Sequence, residues 1–269
     1  MIIDLNGALT EAGEARLDPF DRGFTLGDAI FESLRVEGSV PEFASEHLTR
    51  LAEASRVTGI PLPFTPEDAA GRMARLIQVN DLAEGALRLT VSRGPAARGV
   101  AAPAPADCRP TVVISVHPLP PTRNDPVAAV IAEGTRRNDR SPLCRIKTAP
   151  YLDNILALEE ARRRGAQDAV LLNTRDRVVS AAYANLFCVI GGALLTPPLE
   201  DGPLPGITRQ RVMTQLGGAE RSLSADDLKA AEEVFFSNSF GLRPVTQLDD
   251  VALPGAEGAW ARKASEIAG

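Results

Sequence analysis

A chain of 269 residues with 44% apolar and 24% charged residues is long enough to bury a core without disulfides or metals, and this excludes disordered, collagen-like and coiled-coil chains. No apolar run approaches the ~20 residues of a membrane span and the start lacks the basic-then-apolar order of a signal peptide, so the expected location is the cytoplasm, with no membrane partner. A net charge of −6 excludes a nucleic-acid surface made by sheer positive excess, and Cys108, Cys144 and Cys188, without CxxC spacing, read as buried, inert thiols.

In chain order, Ile2 to Leu5, a turn at Asn6-Gly7, Ile30 to Val36, a turn at Glu37-Gly38 and Val40 to Phe43 read as a meander of short strands. Helical spacing takes over in HLTRLAEASRVTG, with Gly59 as its stop, and again after Thr65 as N-cap in PEDAAGRMARLIQV. Strands Ala86 to Ser92 and Pro110 to Val116 bracket the loop RGPAARGVAAPAPAD. The Pro-rich stretch HPLPPTRNDP then marks a linker, which divides the chain into an N-terminal α+β domain, 1–120, and a C-terminal domain, 121–269. Beyond it follow a strand from Val127 to Glu133, a helix from Leu152 to Arg164, and strands at Ala169–Asn173, Val178–Ala181, Asn185–Ile190 and Ala193–Thr196. A helix opens at Ile207, a short one follows Ser224, a strand runs from Val234 to Ser237, and a last helix holds Trp260. The class is α+β.

The 29 basic residues include only three lysines, Lys147, Lys229 and Lys263, leaving 26 arginines. Arginine cannot shed its proton in a protein and lysine can, so each lysine is a candidate for amine chemistry. Lys229 and Lys263 lie in helical sequence among acidic or polar neighbours and read as solvated charges. Lys147 differs, because RIKTAPYLDNILALEEA places it after an apolar residue, before a Pro-broken helix entry, with no acidic residue within five positions. An amine desolvated there is the kind that forms a Schiff base; the plain alternative is a snorkelling lysine at a helix start. The two histidines, His47 and His117, leave little for a catalytic triad or a His-rich metal site, and no GxGxxG or GxxxxGK[ST] follows a strand.

Four segments, DRGFTLGDAIFESLRVEGSVPEFASEHLTRL, RIKTAPYLDNILALEEARRRGAQDAVLLN, SAAYANLFCVIGGALLTPPLEDGPLPGITRQRV and VFFSNSFGLRPV, resemble in order and spacing the class IV (fold-type IV) pyridoxal-phosphate (PLP) enzymes. That family contains branched-chain and D-amino-acid aminotransferases and aminodeoxychorismate lyase. The resemblance implies two lobes, a small N-terminal α/β domain and a larger, mainly β, C-terminal PLP-binding domain with helices. It also implies a homodimer, and a small amino substrate bearing a carboxylate. By motif, Lys147 is the lysine that binds PLP and shuttles the proton. Gly206, Ile207 and Thr208, at a helix start, offer N–H groups and a hydroxyl to the phosphate. Arg50 in HLTRL matches the arginine that grips the same phosphate, and Ser239 in SNSF a further hydroxyl, with Asn238 as its substitute.

Arg98 falls in the loop that supplies a carboxylate-gripping arginine in some members, with Arg93 as its competitor. Phe31 matches the strand that faces the cofactor, where some relatives place a tyrosine. Tyr151 and Asn185 are lesser candidates. One position departs from the pattern. The family glutamate that keeps the pyridine nitrogen protonated lies five residues before Asn-Leu-Phe, and Ser180 stands there. A hydroxyl leaves the ring a weaker electron sink, which favours elimination over amino transfer unless another acid, Glu32 for example, reaches the ring. Together with the SRG…RG loop, Ser180 points to aminodeoxychorismate lyase, with a D-amino or branched-chain aminotransferase as the alternative and a PLP-binding protein of little turnover as the second.

Overall fold

The structure, a computed structural model, describes residues 1–121 and 124–268; Thr122 and Arg123 of the Pro-rich stretch lie outside these, as does Gly269. Two units emerge: Met1–Leu119 with Ile146–Pro150, and Pro120–Arg145 with the chain from Tyr151 onward. The five residues around Lys147 therefore belong with the first unit, although they follow the linker in sequence.

The first unit contains β1 (Ile2–Leu5), β2 (Ala8–Glu11), α1 (Arg22–Leu26), β3 (Ala29–Glu37), β4 (Val40–Pro41), α2 (Ala44–Thr58), α3 (Pro66–Val79), β5 (Gly85–Ser92) and β6 (Thr111–His117). Its sheet runs β2-β1-β6-β5-β3-β4, so the expected meander is corrected: β1 pairs with β6, and the two early hairpins lie at opposite edges. Local signals cannot choose between two distant edges. They did mark the helix ends. Thr65 and Asp68 form a capping box at the start of α3, and Gly59 ends α2 at φ 67°, where a residue with a Cβ is strained.

Alternation sorts the sheet into two faces. Ile30, Leu34 and Val36 share one with Leu87, Leu89 and Val91, and with Val112, Ile114 and Val116, packed on Leu48 and Leu51 of α2 and Met73 and Leu76 of α3. Phe31, Ser33, Arg88 and Thr90 fall on the other. The free edge of β3 near Ala29 takes up the lysine segment: Phe31 N donates to Lys147 O at 3.0 Å, Ala149 N donates to Ala29 O at 2.9 Å, and Ile30 pairs with Thr148.

The second unit contains β7 (Val127–Ile131), α4 (Leu152–Arg163), β8 (Asp168–Leu172), β9 (Val178–Ala181), β10 (Asn185–Ile190), β11 (Ala193–Thr196) and α5 (Ile207–Leu216). After them come β12 (Ala219–Glu220), α6 (Ala225–Lys229), β13 (Glu233–Asn238), β14 (Gly241–Leu248), β15 (Val251–Ala252) and α7 (Ala259–Ala268). Its sheet runs β12-β11-β10-β13-β14-β7-β8-β9, with β15 on β14. The sequence reading has no strand at β14, where Pro244 cannot donate to a ladder. Pro244 is tolerated where it stands, opposite Phe235 and one residue before the ladder to β7 begins at Val245.

Phe187 of β10 and Phe235 of β13 stack with centroids 5.2 Å apart, and pack with Val212 of α5 and with Ala261 and Ala264 of α7. On α4, Ala157 and Ala161 pack with Val130, Ala169 and Leu171. All three cysteines are buried and free, as expected, and burial pushes the Cys188 thiol up to about 12, so it stays protonated and unreactive.

Candidate active site

Lys147 is half-buried, and its Nζ lies 4.4 Å from the centre of the Phe31 ring. The Arg88 guanidinium lies 3.6 Å from the same centre. An ammonium or guanidinium at that range is drawn to the ring face. Strand alternation explains the meeting: Phe31 is opposite Thr90 and Ser33 opposite Arg88, which puts ring and guanidinium on one face, while pairing of the 147–149 segment with β3 brings the lysine to it. Arg88 is absent from the sequence reading, and its signal was available in the alternation of Leu87-Arg88-Leu89. Neither of the other lysines has such a setting. Lys229 pairs with Asp249 at 3.2 Å, and the exposed Lys263 lies over Trp260.

Glu32, one residue on, points to the helix-covered face and is 1% exposed. Arg50 Nε donates to its Oε1 at 2.8 Å and Nη2 to its Oε2 at 2.6 Å, while His47 Nδ1 meets Oε2 at 2.7 Å. Burial alone would push the Glu32 carboxyl up. The hydrogen bonds and charges of Arg50 and His47 outweigh it and hold the group below the usual carboxylate range. A carboxylate so engaged is not free to reach a cofactor ring, which corrects the expectation that Glu32 could replace the missing family acid. It is the ion-pair partner of Arg50, whose side chain is only 11% exposed.

The two loop arginines separate. Arg93 is buried, with Nε and Nη2 on Asp28, Nη1 on Gly59 O at 2.8 Å and Nη2 also on Thr58 O at 2.8 Å. Its guanidinium is consumed by the fold. Arg98 is exposed, in the irregular segment beyond Gly94.

In the second unit, Gly206 is the N-cap of α5, and no side chain caps the helix. Ile207 is half-buried as its first residue, and Thr208 is buried in the first turn. The amides that open a helix lack intrahelical partners and carry the positive end of its dipole. Thr208 Oγ1 donates to Asn238 O at 3.0 Å, and Asn185 Nδ2 donates to Leu204 O at 2.8 Å. Alternation carries Asn185 and Ser237, opposite each other in register, along the face that α5 covers. Ser237 Oγ is buried without a hydrogen-bond partner among the described residues; the sequence reading passed over it for its neighbours. Ser239 is half-buried in the two-residue turn between β13 and β14, and Asn238 accepts from Phe240 N there at 2.9 Å. Tyr151 is the N-cap residue of α4.

Ser180 is the half-buried residue of β9, between Val179 and Ala181, and pairs with Leu171 of β8. The nearby acid is Asp168. It is fully buried on the alternate face of β8, with Oδ2 accepting from Arg243 Nη1 at 2.8 Å and Oδ1 accepting from the amides of Ala169 and Ala182. Burial pushes its carboxyl up against the pull of Arg243 and those amides. Arg243 also donates to Tyr183, and Asn154 to the Ala182 carbonyl, so this cluster braces the turn that follows Ser180.

The family model for amino-transferase class IV matches residues 29–248. The chain belongs to the class IV aminotransferase family. It is an enzyme of the PLP-dependent kind, with the fold-type IV architecture of that family. The D-alanine aminotransferase of Bacillus licheniformis is 29% identical over 93% of this chain and 89% of its own length. The aminodeoxychorismate lyase of Bacillus subtilis is 28% identical, over 93% of this chain and 87% of its own. In structure, the branched-chain amino acid aminotransferase of Escherichia coli superposes with a TM-score of 0.91 at 26% identity, covering 98% of this chain and 92% of that one. Relatives of three activities share one scaffold, so family membership leaves the reaction itself open.

PLP fits these residues. An anionic phosphate suits an uncapped helix start, and an aldehyde suits a half-buried lysine amine. At Gly206 a Cβ would meet Asn185 Oδ1 at 2.0 Å, so only glycine lets the backbone run this close to that carboxamide.

Proposed function

We propose that this class IV enzyme is an aminodeoxychorismate lyase, which converts 4-amino-4-deoxychorismate to 4-aminobenzoate and pyruvate. Ser180 carries the reading. It supplies a hydroxyl where relatives of the family pattern have a glutamate, β9 offers no carboxylate in its place, and Asp168 and Glu32 are each bound to arginine. The lyase relatives among the comparisons support it.

Bound PLP supplies a carbon that captures a primary amine and a ring that draws electrons from the carbon bearing that amine. Lys147 Nζ would hold the cofactor and, once the substrate amine is bound, would take the proton from the amine-bearing ring carbon. As that proton leaves, the neighbouring C–O bond breaks, the ring becomes aromatic, and the released enol takes up a proton to become pyruvate. Ser180 would offer the ring nitrogen a hydroxyl in place of a carboxylate, and the weaker electron draw that follows would suffice when a leaving group carries the charge away at once. By the family match, Gly206, Ile207 and Thr208 would bind the phosphate, with Arg50 and the Ser239 hydroxyl as further donors to it. Phe31 lines the substrate side, and Arg98 grips a substrate carboxylate.

The test is pyruvate release from 4-amino-4-deoxychorismate by the PLP-loaded protein with no 2-oxoacid present. Absence of pyruvate, together with exchange between an amino acid and a 2-oxoacid, overturns the lyase reading in favour of an aminotransferase. That second reading is favoured by the likeness to D-alanine aminotransferase. Restoring the acid reports on the same choice: Ser180→Glu is expected to raise amino transfer about tenfold and to slow pyruvate release, since a charge-assisted bond at the ring nitrogen is roughly twice as strong as a neutral one. Parallel assays of both reactions measure it. Gly206→Ala is expected to weaken PLP binding about tenfold, by driving the Asn185 carboxamide away from the start of α5; titration of apo protein with PLP gives the constant.

A further inference from the structure

We propose that Arg22 is a positioning residue that fastens the 99–101 segment and thereby sets Arg98 for the substrate carboxylate; this rests on the role given to Arg98 above. Arg22 opens α1 and is 5% exposed. Its Nε donates to Asp28 Oδ2 at 2.8 Å. The outer nitrogens of the guanidinium reach three successive carbonyls, with Nη1 donating to Gly99 O at 3.0 Å and Ala101 O at 3.3 Å, and Nη2 to Val100 O at 3.0 Å. The backbone joins in, since Arg22 N donates to Gly94 O at 2.9 Å and Asp21 pairs with Pro95.

The segment thus held is itself exposed from Ala97 to Ala101 and forms no strand or helix. Such a stretch has little local reason to keep one conformation. Its tie is a buried fork of donors that comes from a different part of the chain. The tie is also anchored. Asp28 Oδ2 accepts from Arg93 Nε at 2.7 Å as well as from Arg22, and Arg93 reaches on to the carbonyls of Thr58 and Gly59 at the end of α2. A continuous set of charge-assisted bonds therefore runs from α2 through Arg93, Asp28 and Arg22 to the residue directly after Arg98. Burial would raise the Asp28 carboxyl, and the two arginines hold it low, so the anchor stays charged. Only the planar guanidinium can span three carbonyls while gripping a carboxylate; a lysine ammonium is a single point.

Affinity for a carboxylate depends on the gripping arginine being held in place before binding, because ordering a loose loop is charged against the binding energy. The test compares Arg22→Lys, Arg98→Ala and the double variant as PLP-loaded proteins. KM and kcat are read for 4-amino-4-deoxychorismate, or for D-alanine with a 2-oxoacid if amino transfer is the observed reaction. Arg22→Lys is expected to raise KM about tenfold with kcat within about twofold, and to speed amide hydrogen exchange in residues 97–102 but not in α2. In the double variant KM is expected to equal that of Arg98→Ala alone, because one residue acts through the other. KM effects that multiply in the double variant overturn the proposal, as does a raised KM for Arg98→Ala with none for Arg22→Lys. An unchanged KM for Arg98→Ala removes the role of Arg98 and the proposal with it. If Arg22→Lys does not fold, Arg22→Gln takes its place under the same criteria.

Discussion

Lys147→Ala is expected to abolish turnover, by at least about 10³-fold, since the role proposed for it makes one side chain both the amine that holds PLP and the base that moves the proton. Lys147→Arg is expected to fail equally, because a guanidinium keeps its charge and forms no Schiff base at neutral pH. The check is covalent as well as kinetic. Borohydride treatment of the PLP-loaded wild type, followed by peptide mapping, is expected to label Lys147, and the alanine variant is expected to take up no label. A label on Lys229, which is tied to Asp249, or on Lys263, over Trp260, contradicts the assignment. The half-buried amine beside Phe31 is what sets Lys147 apart from those two.

Glu32→Ala is expected to destabilise the protein by about 3–5 kcal/mol, the usual cost of removing one member of a buried ion pair. The loss falls on two partners at once. Arg50 and His47 both hydrogen-bond the same carboxylate, and each would be left in a site built for its anion. Thermal melts are expected to show the change, and PLP titration a weaker phosphate grip, as Arg50 loses the group that orients it. The Glu32 carboxyl is held below its ordinary value of 4.5 in the folded state, so its stabilisation is complete above the unfolded value and is lost as pH falls through the lower, folded one. Acid unfolding is therefore expected to have a limb, below about pH 4.5, that the Glu32→Gln variant lacks. An identical acid limb in wild type and variant would show that Glu32 makes no such contribution.

Much of the fold is legible in local pattern. The strands at Val178–Ala181, Asn185–Ile190 and Ala193–Thr196, the helix at Ile207 and the stop at Gly59 stand where the sequence reading puts them. These elements have strong punctuation: glycine at a left-handed position, a threonine cap, or an apolar run between turn residues. Elements without it were missed. The helix Arg22–Leu26 is too short for a period of 3.6 to register, and β14 is disguised by Gly241 and Pro244. Among the candidate site residues, Lys147 could be singled out for inspection by its neighbours, and Gly206 to Thr208 by the logic of a helix start. Glu32 could not be placed, because strand alternation says that it faces away from Phe31 without saying which face is covered by helices.

Composition and local order thus nominate candidates, and the family resemblance gives them their expected roles. A lone lysine in apolar surroundings, a helix start free of side-chain caps and a serine in an acid's position are properties of neighbours along the chain, and they survive any rearrangement of the rest. The company those residues keep was decided in three dimensions. Lys147 meets Phe31 because β3 leaves an edge unpaired beside Ala29, Arg50 is aimed by a carboxylate on another element, and Arg93, not Arg98, is spent on Asp28. Each of these depends on which distant edges and faces pack together. Packing of that kind is selected by burial and hydrogen-bond satisfaction over the whole unit, and local periodicity carries no record of it.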